Sequence, residues 1–539
     1  MRLAHPLPRI LTRPLAWLVV AGWVAQMAVL VERSYLRAST VSLAGDLARY
    51  GSTAQWKGVY YRGEKIGYTV AQTSPVDGGY QIEEDGQLQM SLLGVTTPAR
   101  LRTRVRVDET FALRSFSFSL DSGTGAVEVE GSLAGRRLDL TLRSAAGSRS
   151  ESRALAEVPA LALNLPRRLA AHGLAPGRTF EVQVFDPATL HNAPMSVEVL
   201  DRELVTAAGR PVPAFKVRAR FAGLTSTSWV TDVGEVVREE SPTGLVVLKE
   251  SREVATRMAV PDRVRADMLE SSAVVPVTRR PIDDPAGVKR LRVRLEGIDL
   301  GGKDLAGAGQ SVSGDVVEVR DSRDTAPGPP DPDAGRHLAP EPFVESDAPE
   351  IVEEARKAVA GAATPRAAAE RLVRHVNAIL EKKPTLSLPS AREVLRTRVG
   401  DCNEHTALYV ALARAAGLPA RIAVGLVHLN GAFYYHAWPE VYLQERARGL
   451  WMPVDPTLDQ FPADATHIRL ARGGLDKQAF LMGVIGRLKM TVVDFEMREG
   501  FTPILVGAPG EAPAALLAIP RRDGTGPWCW SRPASGPAR

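Results

Sequence analysis

Cysteine is almost absent from this chain. Its 539 residues include two, Cys402 and Cys529, which excludes a framework of structural disulfides. Aromatic residues make up only 6%, and no basic block is interleaved with them, so the surface expected of a nucleic-acid binder is missing. Neither sign of charge dominates, because 67 basic residues stand against 62 acidic ones and the net +5 is spread along the chain. No D-x-D-x-D-G loop offers a calcium site, and no repeat of fixed period is evident. Long apolar runs are also missing, with one exception near the N-terminus.

That exception is Leu15 to Val31, LAWLVVAGWVAQMAVLV, which carries no charge and is about the shortest run able to span a bilayer as a helix. Arg2, Arg9 and Arg13 precede it, while Glu32, Arg33 and Arg37 follow. The purely basic N-terminal flank predicts a single-pass anchor at 15–31 with a cytoplasmic N-terminus at 1–14. The rest would then lie in the periplasm or at the cell exterior of a bacterial-type inner membrane. Secretion after cleavage of a signal peptide is the alternative.

At this length one hydrophobic core does not suffice, so several domains are expected. Residues 51–260 alternate apolar and polar side chains between turn signals, as in LRTRVRV from Leu101 and AVEVEGSL from Ala126, which predicts one or two antiparallel β domains. Residues 261–320 add a small β segment around VKRLRVRLEGI. Residues 321–345 are dense in Pro, Gly and Asp and read as a linker. A domain at 346–505 follows, then a flexible tail at 506–539. In the domain, one helix is expected near Asp347 with Glu350 in a capping box, and a second after Thr364-Pro365. A third should start at Ser390, with Glu393 completing a capping box.

The chemistry concentrates between Val399 and Thr457. Asp401 is a good N-cap and Glu404 stands three residues later, so a helix should begin at Cys402 and end before Gly417. In the first turn, unpaired N–H groups and the positive dipole end should favour a thiolate. The same N–H groups are suited to an oxyanion. Two strands follow, ARIAVGLVHL and AFYYHAWPEVYL, joined by Asn430-Gly431, a signal for a two-residue type I′ hairpin. That turn pairs 429 with 432 and 425 with 436. It sets Tyr434, His436, Trp438 and Glu440 on one face, with the opposite face feeding the core and Gly425 leaving room for the imidazole. A third strand, WMPVDPT, places Asp455 where the chain leaves the sheet, suited to orient a histidine. Zinc held by Cys402, His405, His428 and His436 is disfavoured, because the register turns His428 away from His436. No metal or other cofactor is expected.

The ordered set GDCNEHTALYVALARAAGLPAR, HAWPEVYL and WMPVDPT resembles the transglutaminase-like core of papain-like cysteine acyltransferases and peptidases. The resemblance covers roughly 346–505. It implies an α+β fold class overall, with a helix bearing the cysteine and an antiparallel sheet bearing the histidine and aspartate. It also implies a catalytic triad of Cys402 as nucleophile, His436 as base and Asp455 as orienter, with supporting roles for Trp438 and Glu440. The activity implied is thiol-dependent acyl transfer on protein or peptide amides, by transamidation or hydrolysis. The alternative is a non-catalytic binding module or envelope scaffold on the same fold.

Overall fold

The computed structural model describes residues 54–498, apart from 93–94, 124, 222–223, 259–272, 298–304, 385–387, 446, 475–476 and 478–486. The expected anchor at 15–31, the tail at 506–539 and Cys529 lie outside the described residues.

Half of the architecture is one antiparallel sheet. Strands β1 (Gln55–Tyr61) to β8 (Gly147–Ala154) and β9 (Thr179–Asp186) to β14 (Leu245–Glu250) form fourteen neighbours. The order runs from β8 down to β1, across to β14, and on to β9. Alternation builds it. In β6 (Ala126–Ala134), Val127 and Val129 are buried while Glu128 is exposed. The edge strand β8, GSRSESRA, buries no residue and carries charge, which discourages further pairing. Helix α1 (Leu165–Ala171) covers part of the sheet through Leu165 and Leu169.

A second, four-stranded sheet joins β15 (Val288–Glu296), β16 (Gln310–Ser313) and β17 (Val316–Arg320) to β24 (Lys489–Met497), in the order β16-β17-β15-β24. Residues 288–320 are therefore tied to the C-terminal end of the described chain. The Pro-rich stretch after β17 is strapped down rather than free. Gly328 and Gly449 exchange backbone hydrogen bonds of 3.0 Å, and Trp451 Nε1 donates to Asp331 Oδ2 at 2.8 Å.

The region of interest packs helices α2 (Pro349–Ala358), α3 (Pro365–Ile379), α4 (Ala391–Thr397) and α5 (Cys402–Ala415) on a third sheet. After a short parallel pair, β18 (Glu381–Lys382) and β19 (Val399–Gly400), its strands are β20 (Ala420–Leu429), β21 (Ala432–Glu445), β22 (Arg448–Pro453) and β23 (Ile468–Arg472), in the order β22-β21-β20-β23. Helix α5 is the centre of this core, with Leu408, Tyr409, Val410, Ala411, Leu412 and Ala413 fully buried. The α2 start differs from expectation. Ala348 is its N-cap, and Asp347 instead binds Arg149 of β8 at 2.8 Å, while Glu350 accepts from Arg392. Ser390 does cap α4, but Glu393 turns to Arg396 and to the Ala146 N–H instead of closing a box.

The expected α+β class is corrected by these elements. The structure is mostly β, 52% strand against 17% helix, with the large antiparallel sheet dominating. No helix among the described residues is long and apolar enough to cross a membrane. Strands of up to 17 residues in the first half outweigh the helices packed around Cys402, and their length is what moves the class to β.

Hairpin β20–β21 has the expected register, with Gly425 opposite His436 and Leu429 opposite Ala432. Asn430 and Gly431 both take positive φ, 49° and 85°, as a type I′ turn requires. The reason for Gly425 differs from expectation. A Cβ there would meet the Ile468 carbonyl oxygen at 2.0 Å and Arg469 Cα at 3.0 Å. β23 thus approaches β20 closely at this point. Gly425→Ala is expected to destabilise the region by about 1–3 kcal/mol, since backbone must move; chemical denaturation measures it, and an unchanged midpoint would show that β23 yields freely.

Candidate active site

Cys402 opens α5. Asp401 accepts the Asn403 N–H at 2.9 Å, and Glu404 Oε2 accepts the Asp401 N–H at 2.8 Å, closing the capping box. The thiol is half-buried and hydrogen-bonded by the backbone N–H of Ala437, the residue after His436. Helix start and strand β21 thus meet at the sulfur.

The anionic form is not favoured in the resting site, contrary to the dipole argument. Burial pushes the Cys402 pKa well above its ordinary value, and the charge of Asp401 adds to this, with Glu404 and Asp455 contributing in the same direction. The carboxylates that cap the helix offset the field of its N-terminus.

His436 stands in mid-β21, and its Nε2 lies 2.7 Å from Asp455 Oδ2. The aspartate sits in a tight turn after β22. Its Oδ1 accepts the N–H groups of Thr457 at 2.7 Å and Leu458 at 3.0 Å. The turn is held from behind by Asn377 of α3, which donates to the carbonyls of Pro456 and Thr457. Burial works to raise the Asp455 pKa, but His436 and His467 hold the carboxyl well below the usual range. It is an acceptor only, so Nε2 of His436 carries a proton.

A second histidine completes the cluster and was not anticipated. His467, at the entry to β23, is buried and presents Nε2 to the same Asp455 Oδ2 at 3.1 Å. Its Nδ1 faces Asp464, 3.1 Å from the carbonyl oxygen and 3.3 Å from Oδ1. Trp438 packs against both rings, stacked at 6.1 Å on His436 and edge-on at 5.1 Å to His467. A hint was present in the sequence, since Asp464 and His467 stand three apart just ahead of a strand. Only folding brings them to Asp455. The donor atoms of His436, Asp455 and His467 lie within 4.8 Å of one another. Their nearest separations are those of imidazoles sharing protons with one carboxylate oxygen. The four zinc candidates do not converge in this way. His405 Nδ1 takes the Asp401 carbonyl, and His428 packs edge-on to Phe433.

The face of β21 that carries His436 is not open, as Trp438 and Glu440 are buried too. Glu440 accepts from Arg421 at 2.8 Å, from Arg472 at 3.0 Å and from Arg469. Burial works to raise its pKa, and the three guanidinium groups bring it down to about 2. Arg469 Nη2 also donates to the carbonyls of Leu305, Ala306 and Gly307. Gln310 lies behind Arg469. Its side chain is engaged with the backbone of Leu305 and Arg469.

Beside the first turns of α5 lies a cavity of about 150 Å³, lined among others by Asn403, Thr406, Ile422, Phe343, Arg153 of β8 and Leu190 from the turn after β9. Asn403 Oδ1 and Thr406 Oγ1 are buried there without protein partners, and so is the Tyr435 hydroxyl in the cluster that holds Cys402.

The transglutaminase-like superfamily model matches residues 353–456. A search of the curated proteins finds no match. Among solved structures, a candidate cysteine protease from Cytophaga hutchinsonii is 17% identical, covering 38% of this chain and 82% of its own, with a TM-score of 0.26. A DUF1089 family protein from Pseudomonas aeruginosa is 18% identical over 31% of this chain and 87% of its own, at 0.21. A candidate protease from Parabacteroides distasonis is 10% identical over 66% and 69%, at 0.18. Scores of this size carry no argument.

Proposed function

From the transglutaminase-like domain at residues 353–456, we propose that this chain is a thiol-dependent acyltransferase or peptidase acting on protein or peptide amides. In this reading Cys402 is the nucleophile, His436 the base and Asp455 the group that fixes the imidazole. One observation supports it above the others. The His436–Asp455 hydrogen bond of 2.7 Å engages Nε2, which leaves Nδ1 as the nitrogen to take the thiol proton, and the next backbone N–H along β21 binds the thiol.

The steps follow from these groups. Sulfur attacks the amide carbonyl carbon while its proton passes to His436 Nδ1. The resulting imidazolium is stabilised by Asp455 and returns the proton to the leaving amine as the C–N bond breaks. A thioester on Cys402 remains. Water, or a second amine, then attacks that carbonyl, losing a proton to His436 and releasing the thiol. Water gives hydrolysis and an amine gives transamidation. The raised thiol pKa makes the base necessary, because little thiolate exists without it.

p-Nitrophenyl acetate tests this without knowledge of the natural substrate. Acetylation of the Cys402 peptide, detected by mass spectrometry and absent in Cys402→Ala, is the expected result, with Cys529 as internal control. Hydroxylamine should then release acetohydroxamate. A folded wild-type protein that never acetylates at Cys402 would remove the reading.

A further inference from the structure

We propose that His467 is a positioning residue of this site, an imidazolium wedged between Asp455 and Asp464 that sets the charge felt by the Cys402–His436 pair. The proposal rests on the acyl-transfer reading for what that pair does. His467 and Asp464 both lie beyond the residues that the superfamily model matches, 353–456, so the family likeness says nothing about them.

The hydrogen-bond inventory carries the argument. A neutral imidazole has one N–H and one lone pair. Nε2 of His467 meets Asp455 Oδ2 at 3.1 Å, and Nδ1 meets Asp464 O at 3.1 Å and Oδ1 at 3.3 Å. These are all acceptors. Asp464 Oδ1 is itself kept an acceptor by the N–H and hydroxyl of Thr466, at 2.9 and 2.6 Å, and its Oδ2 accepts from Gln460 at 2.8 Å. A lone pair on either ring nitrogen would face oxygen lone pairs in a fully buried site, so both nitrogens carry protons. Burial works to lower the His467 pKa, yet the bonds to Asp455 and Asp464 and their charges raise it to about 10.

The consequence reaches His436, whose ring lies 5.8 Å away across the shared carboxylate. With two carboxylates and one imidazolium, the cluster behind His436 carries one negative charge. Without His467 it would carry two, and both protons of the thiol–imidazole pair would be held more tightly. Without the charge of Asp464 it would carry none, and the protons would leave more easily. Other charged or titratable groups face the cluster from each element packed on it. Cys402 and His405 lie towards Asp455 from α5, His428 of β20 and Arg323 after β17 lie towards Asp464, and Trp438 closes the remaining side without a charge.

The test is the pH profile of Cys402 alkylation by iodoacetamide in the full chain, with a thermal melt of each variant. His467→Gln should move the rising limb up, and Asp464→Asn should move it down. The His467→Gln shift is about 1 to 2 pH units, from one charge at roughly 6 Å and an effective dielectric near 20, and the Asp464→Asn shift is smaller because that carboxylate lies on the far side of His467. Both replacements keep hydrogen-bonding side chains in place, so a purely structural role predicts shifts of the same sign or none. Folded variants whose limbs stay put, or move together, overturn the proposal. Should His467→Gln fail to fold, Asp464→Asn decides alone, and an unmoved limb there is fatal. His436→Ala separates the two readings. If it leaves the profile unchanged, the paired thiol itself is refuted; if it alters the profile while the other two do not, only the role of His467 fails.

Discussion

Replacing His436 by alanine is expected to slow acylation of Cys402 by about 100- to 10,000-fold, the contribution typical of a positioned general base. The loss should be steepest near neutral pH. Burial and the charge of Asp401 raise the thiol pKa, so thiolate in the variant forms only as pH climbs beyond the ordinary thiol range of about 8.5. Rates should draw closer to those of the wild type as pH rises, where hydroxide begins to do the work of the base. Stopped-flow release of p-nitrophenolate between pH 6 and 10 measures both features. Equal rates at pH 7 would mean that the imidazole takes no proton from the thiol.

Asp455→Asn should be nearly as damaging, for a different reason. Asp455 accepts four N–H groups, from His436, His467, Thr457 and Leu458. An asparagine has one acceptor oxygen and adds two donors of its own. His436 would be driven to keep its proton on Nδ1, the nitrogen that must receive the thiol proton. In the comparable aspartate-to-asparagine change of a serine triad, the wrong tautomer costs about 10,000-fold.

The second large effect is on stability. Glu440→Ala should destabilise the domain by about 3–5 kcal/mol, because it leaves Arg421, Arg469 and Arg472 around a buried site with no carboxylate between them. The pH dependence is consistent with that size. The folded pKa of Glu440 is lowered to about 2 from its ordinary value of 4.5, which corresponds to roughly 3 kcal/mol. A depressed carboxylate contributes its stability above the unfolded pKa, and the contribution fades as pH falls towards about 2. In Glu440→Ala the acid limb of stability should therefore flatten. Guanidinium titrations at pH 7 and pH 3 measure this, and a loss under about 1 kcal/mol at pH 7 would show that the carbonyls around Arg469 and the Trp451 face over Arg421 suffice without the carboxylate.

These expectations depend on features of unequal legibility. Asp401 and Glu404 announce the start of α5 because a capping box is a contact within four residues. Asn430-Gly431 announces the hairpin because only residues tolerant of positive φ close a type I′ turn, and the turn then dictates every pairing up to Ala420 and Val441. The fold class, by contrast, depends on how many strands join one sheet, and no local pattern tells that fourteen of them do. The expectation of a stabilised thiolate failed for a related reason. The helix dipole can be inferred from sequence, but the burial of the sulfur and the approach of Asp401, Glu404 and Asp455 cannot.

The amino-acid sequence by itself determined the local chemistry of this protein. A helix begins at Cys402, a strand carries His436 opposite Gly425, and Asp455 ends the next strand, each through interactions a few residues long. Only the tertiary structure decided that β23 presses against Gly425, that Glu440 neutralises arginines from two other strands, and that His467 shares the carboxylate of Asp455. Those are contacts between segments with no pattern in common, brought together by burial, and burial also sets the protonation of the thiol.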